Sequence, residues 1–184
     1  AAKARNYSYL AITDHSKSLP ISGGLNEDRL NAQMKVIDTL NAELEDITIL
    51  KGIEVDVLKN GQLDFSDQVL EELDIVIASI HSNFRLDKEK QTERVLHAIK
   101  TGQVDIIGHL TGRLLNRRSG YELDVEKILT AAAQHKVVLE INSHPDRLDI
   151  DEHIARAASL HGVKVAINSD AHHKSDLNLL HYGV

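Results

Sequence analysis

The chain has 184 residues, 42% of them apolar and 27% charged, the profile of one globular domain with room for a sizeable core. It contains no cysteine, which excludes a disulfide framework, a thiolate metal site and a cysteine nucleophile, and fits a reducing, cytoplasmic setting. There is no signal-peptide pattern and no apolar run long enough for a bilayer, so no membrane partner is expected. The formal charge of −7 argues against a free-standing, non-specific nucleic-acid binder. A polyphosphate substrate must instead meet local basic groups or bound cations.

In chain order, residues 9–14 (YLAITD) read as a short buried strand. Residues 26–45 read as a helix, with an apolar stripe of Leu30, Met34, Ile37, Leu40 and Leu44 at helical spacing. Asn26 suits its N-cap, and Glu27 and Asp28 suit the positive end of its dipole. Residues 47–57, with Gly52 inside them, and 74–81 are β-branched strands. A helix over 88–101 presents Val95 and Ile99 on one face and stops at Gly102. Strand 104–109 leads to a helix capped by Asp124, with a stripe of Val125, Ile128, Leu129 and Ala132. Strand 137–142, helix 151–161 and strand 163–170 complete the series. Near-continuous apolar strands alternating with amphipathic helices predict a parallel sheet covered by helices, an α/β fold in one domain spanning 1–184.

Residues 1–5 (AAKAR) are strong helix formers, with Asn6 as the stop, and the terminal YGV reads as the start of a further strand. A chain that opens inside a helix predicts a barrel segment whose first strand is missing.

The chemistry falls at strand ends. Asp14 and His15 follow the first strand, and Glu54 lies in the second. His81 and His109 end the next two, Asn142, Ser143 and His144 follow the fifth, and Asp170, His172 and His173 follow the last. In a barrel these ends converge on one face, and imidazoles with carboxylates are the ligand set of zinc, manganese or iron. A single histidine at a strand end is ordinarily a hydrogen-bonded loop residue, whereas His15, Glu54, His81, His109, Asp170 and His172 share one registration and read together as metal ligands. His144 and His173 are open to either reading. His97, His135, His153 and His161 fall on helices and read as surface or packing residues, and His181 lies in the terminal stretch. There is no GxSxG elbow, GxGxxG loop or P-loop.

The motifs AITDHSKS (11–18), KGIEVDV (51–57), ASIHS (78–82), DIIGHLTGRLLNRR (105–118), LEINSHPDRLD (139–149) and NSDAHH (168–173) resemble those of the PHP (polymerase and histidinol phosphatase) superfamily. GHLTGRLLNRR with EIN and DRLD is similar to the C-terminal PHP domain of bacterial family X DNA polymerases. The resemblance covers essentially the whole chain. It implies a distorted seven-stranded (β/α) TIM-like barrel, here without its first strand, holding up to three divalent metals: manganese or zinc, with iron a further candidate.

It also implies His15 and His172 as ligands of one metal, Glu54 as a bridging carboxylate, His81 and His109 completing its site, and Asp170 serving the remaining metal. Family members carry further ligands in an HxH motif on the first strand, and no HxH occurs here. Asp14, Glu54 and Asp170 are the candidate catalytic carboxylates, with Asp14 equally suited to a turn. Lys17, Arg113, Arg117, Arg118 and Arg147 are candidates for substrate phosphates, Arg113 first because it follows His109 closely. Clustered divalent cations lower the pKa of water and clamp phosphoryl oxygens. The resemblance therefore implies a metal-dependent phosphoesterase acting on DNA 3′ ends as a 3′–5′ exonuclease in DNA repair, attached to polymerase domains. The alternatives are a histidinol-phosphate-type phosphatase and an inactive metal-binding module.

Overall fold

The computed structural model describes residues 1–19 and 23–184. The six strands read between residues 9 and 170 are present: β1 (Tyr9–Ile12), β2 (Thr48–Asp56), β3 (Ile75–Ser79), β4 (Ile106–Ile107), β5 (Val138–Asn142) and β6 (Val165–Asn168). Each pairs in parallel with the next, in the order β1-β2-β3-β4-β5-β6. A sheet wound in chain order, with a helical connection after each strand, is the winding of a (β/α) barrel. Here it forms a curled half-barrel of six strands.

The connections are α1 (Glu27–Glu43), α2 (Asp67–Leu70), α3 (Lys88–Lys100), α4 (Val125–His135) and α5 (Glu152–Leu160). Asn26, Asp87, Asp124 and Asp151 cap α1, α3, α4 and α5, each accepting a backbone N–H three residues on. Gly102 follows α3 at φ +78°, and Lys136 ends α4 in the left-handed region. The apolar stripe of α1 is shorter than its spacing suggests. Leu30, Met34 and Ile37 are buried, Leu40 is exposed, and Leu44 packs in a small separate cluster with Ala2, Ile47 and Leu177.

Three parts of the sequence reading are revised. Residues 3–5 make a single 3-10 turn, closed by Asn6 at φ 57°, in place of a longer helix. The end of the chain is a 3-10 helix, Asp176–Tyr182, followed by Gly183, so the YGV strand is absent. Burial of Leu177, and the Tyr7 hydroxyl donating to its carbonyl, turn this segment back under the N-terminus. The short helix α2 gives no periodic signal at four residues.

Strand alternation divides the sheet into two chemistries. On β2, and at Val57 just after it, Ile53, Val55 and Val57 are at most 2% exposed and join the main apolar core, while Glu54 and Asp56 face the other way. On β5, Leu139 belongs to the core and Glu140 and Asn142 take the opposite face. The buried polar residues thus share the concave face, and the apolar set lies under the helices. Buried Arg94 of α3 donates to the carbonyls of Val57, Leu58 and Ser82, tying the segments after β2 and β3 to the helix layer.

Gly52 lets the strands approach beside Glu54. A Cβ there would stand 2.8 Å from both Ile75 Cγ2 and Thr13 Cγ2, and 3.0 Å from the Ile12 carbonyl. Gly52→Ala is expected to cost about 1–3 kcal/mol of stability by overpacking, read as a lower urea midpoint at unchanged slope. An unshifted midpoint would show that Thr13 and Ile75 give way freely.

Candidate metal centre

Glu54 is the centre of the polar face. Its backbone is fixed on both sides: its N–H donates to the Asp14 carbonyl at 2.9 Å, and its carbonyl accepts the Ser16 N–H at 3.1 Å. This extends the β1–β2 ladder beyond β1 and sets His15 opposite Glu54 as a parallel bridge. The buried Ser16 hydroxyl accepts the Asp56 N–H at 2.9 Å, holding the next turn of the same strand.

Three imidazoles from three further segments meet this carboxylate. His15 Nδ1 is 3.0 Å from Glu54 Oε2; His81 Nε2 and His109 Nε2 are 3.3 and 3.0 Å from Oε1. The rings pack edge to face, with centroids 4.9 Å apart for His15–His81 and 5.1 Å for His81–His109. Ligand atoms of His15, Glu54 and His81 all lie within 4.8 Å of one another. His109 joins this group through its contact with Oε1.

His81 is oriented from behind. Its Nδ1 is 3.0 Å from Asp56 Oδ1, so Nε2 is the nitrogen presented to Glu54. A carboxylate holding the far nitrogen of an imidazole is the arrangement that fixes a metal-ligating histidine. Among the described residues, His15 Nδ1 and His81 Nε2 are buried without a well-formed hydrogen bond, although Glu54 lies 3.0 and 3.3 Å away. Ring nitrogens and carboxylate oxygens gathered this closely fit a divalent cation of the kind that takes nitrogen and oxygen donors.

Electrostatics agree. Burial opposes charge on Glu54, but contact with His109, His15 and His81 holds its carboxyl well below the usual carboxylate range. Burial likewise disfavours the His81 cation, yet the Asp56 and Glu54 carboxylates outweigh it and raise its pKa to about 9. Contact with Glu54 raises His15, against burial, and the charge of Asp170 adds to the effect.

The remaining candidates are spread around this group. The Asp170 carboxylate lies 3.7 Å from His172 Nδ1 and 3.6 Å from Arg147 Nε. The exposed His172 ring is 6.0 Å from that of His15. His109 (φ 25°) and Asp170 (φ 48°) both take left-handed backbone where strands end, a conformation that non-glycine residues keep only when their surroundings enforce it. Asp14 points elsewhere: its carboxylate accepts from Gln33 of α1 at 2.6 Å. Lys17 lies over the Phe65 ring and 3.9 Å from Glu27.

Arg113 donates to the carbonyls of Arg147 and Leu148 and faces Asp151 at 3.6 Å, so it braces the loop after β5. Arg118 donates to the Gly112 carbonyl over Phe84, and Arg117 pairs with Asp146 at 3.3 Å. Arg147 alone of this group stands beside a candidate ligand, and its Nη1 is buried without a partner. His144 accepts the Asp146 N–H within its own turn, and His173 contacts Ser175. His97, His135 and His153 are exposed, and His161 pairs with Glu126.

Sequence reasoning passed over Asp56 and Glu140. Both stand on strands two residues from another polar residue, Glu54 and Asn142, and that period-2 spacing was the available signal. Burial raises the Glu140 carboxyl, partly offset by His109 and by the N–H donors around it.

Parallel strands that deliver imidazoles and carboxylates to one concave end define the class: a half-barrel α/β domain with a candidate metal-ligand centre. The PHP domain family matches residues 1–144, and the chain belongs to that family. It is 46% identical over 181 residues to the DNA polymerase/3′-5′ exonuclease PolX of Bacillus subtilis, covering 98% of this chain and 32% of that protein. The chain thus spans about a third of that relative's length. It is 35% identical over 178 residues to a "Probable phosphatase" of Thermoanaerobacter sp., covering 91% of this chain and 68% of that protein. The fold is similar to that of a histidinol phosphate phosphatase from Lactococcus lactis, solved with zinc, L-histidinol and phosphate, at a TM-score of 0.65 and 22% identity, over 98% of this chain and 81% of that one. Among the described residues, no helix is long and apolar enough to cross a membrane.

With His81 protonated up to about pH 9 in the metal-free protein, cation binding at neutral pH must displace protons. Calorimetric titration with Zn²⁺ at pH 7.5, in two buffers of different ionisation enthalpy, is expected to show release of at least about one proton per ion bound. The same heat in both buffers would mean that His81 is neutral before the ion arrives.

Proposed function

We propose that this chain is the 3′–5′ exonuclease-type phosphodiesterase domain of a family X DNA polymerase, acting on DNA 3′ ends in repair in the cytoplasm, with manganese as activator. The observation that carries the phosphoesterase reading is the buried Glu54 carboxylate with three imidazole nitrogens within 3.3 Å. The 46% identity to the Bacillus polymerase over nearly the whole chain favours DNA as substrate and polymerase domains as the attached partner.

Glu54, His15, His81 and His109 would hold divalent cations, with Asp170 and His172 beside them. Such ions supply Lewis acidity toward the phosphoryl group and a more acidic water. The chain's own residues do the rest. Asp56 keeps His81 in one tautomer, with Nε2 turned inward. Arg147, whose Nε lies 3.6 Å from Asp170, would offer a cation to a phosphate oxygen beside the ligand group. Arg113 keeps Arg147 in place by holding the backbone of residues 147 and 148. Asp170, close to both Arg147 and His172, orders the two about the substrate position.

A second reading, a small-molecule phosphatase, is favoured by the similarity to the Thermoanaerobacter protein. The two separate by substrate. The chain with Mn²⁺ is expected to shorten a 5′-labelled single-stranded oligonucleotide and to leave histidinol phosphate intact; the reverse selects the phosphatase. Bound metal with turnover of neither selects a non-catalytic metal module. Glu54→Gln is expected to lower metal content and to reduce activity by at least about 100-fold, since it weakens the donor that all three imidazoles face. Full activity in that variant would remove Glu54 from the site.

A further inference from the structure

The buried carboxylate in contact with the backbone of His109 has no role yet. Glu140 is 4% exposed on β5. Its partners are all donors. Oε2 accepts the backbone N–H of His109 at 2.7 Å and the side-chain amide of Asn142 at 3.3 Å. Oε1 accepts the side-chain amide of Asn168 at 2.9 Å. Asn142 passes the contact on, because its amide nitrogen also lies 3.0 Å from Asp170 Oδ2.

Glu140 therefore touches both sides of the site. On one side it holds the backbone of His109, a residue at φ 25° whose Nε2 is 3.0 Å from Glu54. On the other it reaches Asp170, at φ 48°, through Asn142. Neither backbone conformation is one that a non-glycine residue takes unaided, and these hydrogen bonds bear on both. Gly108 gives the room on the β3 side: a Cβ there would stand 2.3 Å from Ser79 Oγ and 2.9 Å from Ile77 Cγ2, with Glu140 Oε2 at an ordinary contact distance of 3.6 Å. The arrangement needs an acceptor at both oxygens, which a carboxylate offers and a carboxamide does not.

We propose that Glu140 is a positioning residue that sets His109 and Asp170 in register with Glu54, through a network of donors converging on its carboxylate. The proposal rests on the reading of Glu54 and its imidazoles as a metal centre. Glu140 touches neither substrate nor metal in this role. It acts through the backbone of one ligand and the side-chain amide beside another.

The donor pattern supplies a test that ordinary loss of packing does not mimic. Glu140→Gln preserves size but turns one oxygen into an NH₂ group, which must face the His109 N–H or the Asn168 amide. Adding Asn168→Asp restores a donor–acceptor match: the amide introduced at position 140 can donate to the carboxylate introduced at position 168, while its oxygen accepts from His109. Co²⁺ titration followed by visible absorption reports both affinity and ligand geometry, and thermal unfolding of the same samples reports stability.

Glu140→Gln is expected to weaken Co²⁺ about 10–100-fold and to alter its spectrum, and Glu140→Gln with Asn168→Asp to recover most of both. A Glu140→Gln variant with unchanged affinity and spectrum overturns the proposal, whatever its melting temperature. So does a double variant that regains stability without regaining affinity. If Glu140→Gln fails to fold, Asn142→Ala leaves Glu140 its His109 and Asn168 bonds and removes the link to Asp170, together with the acceptor of the His144 N–H; about tenfold weaker Co²⁺ at near-normal stability supports the network, and unchanged affinity overturns it. Failure of the unsubstituted protein to bind Co²⁺ is a separate result: it removes the metal centre, and the positioning role with it.

Discussion

A carboxylate taken out of water needs compensation, and Glu54 is nearly inaccessible to solvent. Unpaired in a low-dielectric interior, it would protonate or disrupt the fold. Here the compensation comes from segments far apart in the chain: His15 after β1, His81 after β3 and His109 after β4. On a flat sheet, strands two positions apart stand roughly 10 Å from each other, too far for such contacts, so the curl of the half-barrel and the cluster require one another. Gly52, Ser16 and the turn at Asp14 all serve to bring the first strand against the second at that point. The metal-ligand character of the site is the other face of the same constraint. Nitrogen and oxygen donors gathered this closely are the set that a divalent cation would satisfy together.

Much of this was legible in the sequence, and the reason is geometric. A (β/α) winding sends every strand end to one rim, so a histidine or carboxylate at a strand end is placed by topology before any side-chain detail is known. His15, His81 and His109 were found that way, and each meets Glu54. What alternation hides was not legible. Glu140 and Asp56 lie inside runs that look apolar, and only the pleat reveals that they face the site. Asp14 shows the opposite failure. Adjacency to a ligand along the chain suggested a role, but the next residue on a strand points the other way, and its carboxylate meets Gln33 of α1.

The arginines show why charge cannot be assigned from position alone. Arg113 is near His109 in sequence and was the favoured phosphate contact, yet its guanidinium is consumed by the carbonyls of Arg147 and Leu148. Arg118 is likewise committed to the Gly112 carbonyl, and Arg94 to three carbonyls beneath the site. Arginine's planar fork suits it to collecting loop carbonyls as well as to binding anions, and the sequence does not distinguish the uses. The structure sorts them by what they face, and Arg147 is the one whose guanidinium lies beside Asp170.

The balance of charge at the rim sets an order of events. Glu54, Asp56, Glu140 and Asp170 gather around the imidazoles, with Arg147 the one arginine alongside among the described residues. On a chain of net charge −7, this concentrates negative potential where a phosphate ester would have to bind. An anion approaching the metal-free centre is repelled by the groups that must later hold it. Cations held by Glu54 and its imidazoles would reverse the local sign, so a phosphate ester would meet an attractive field only with the ions in place.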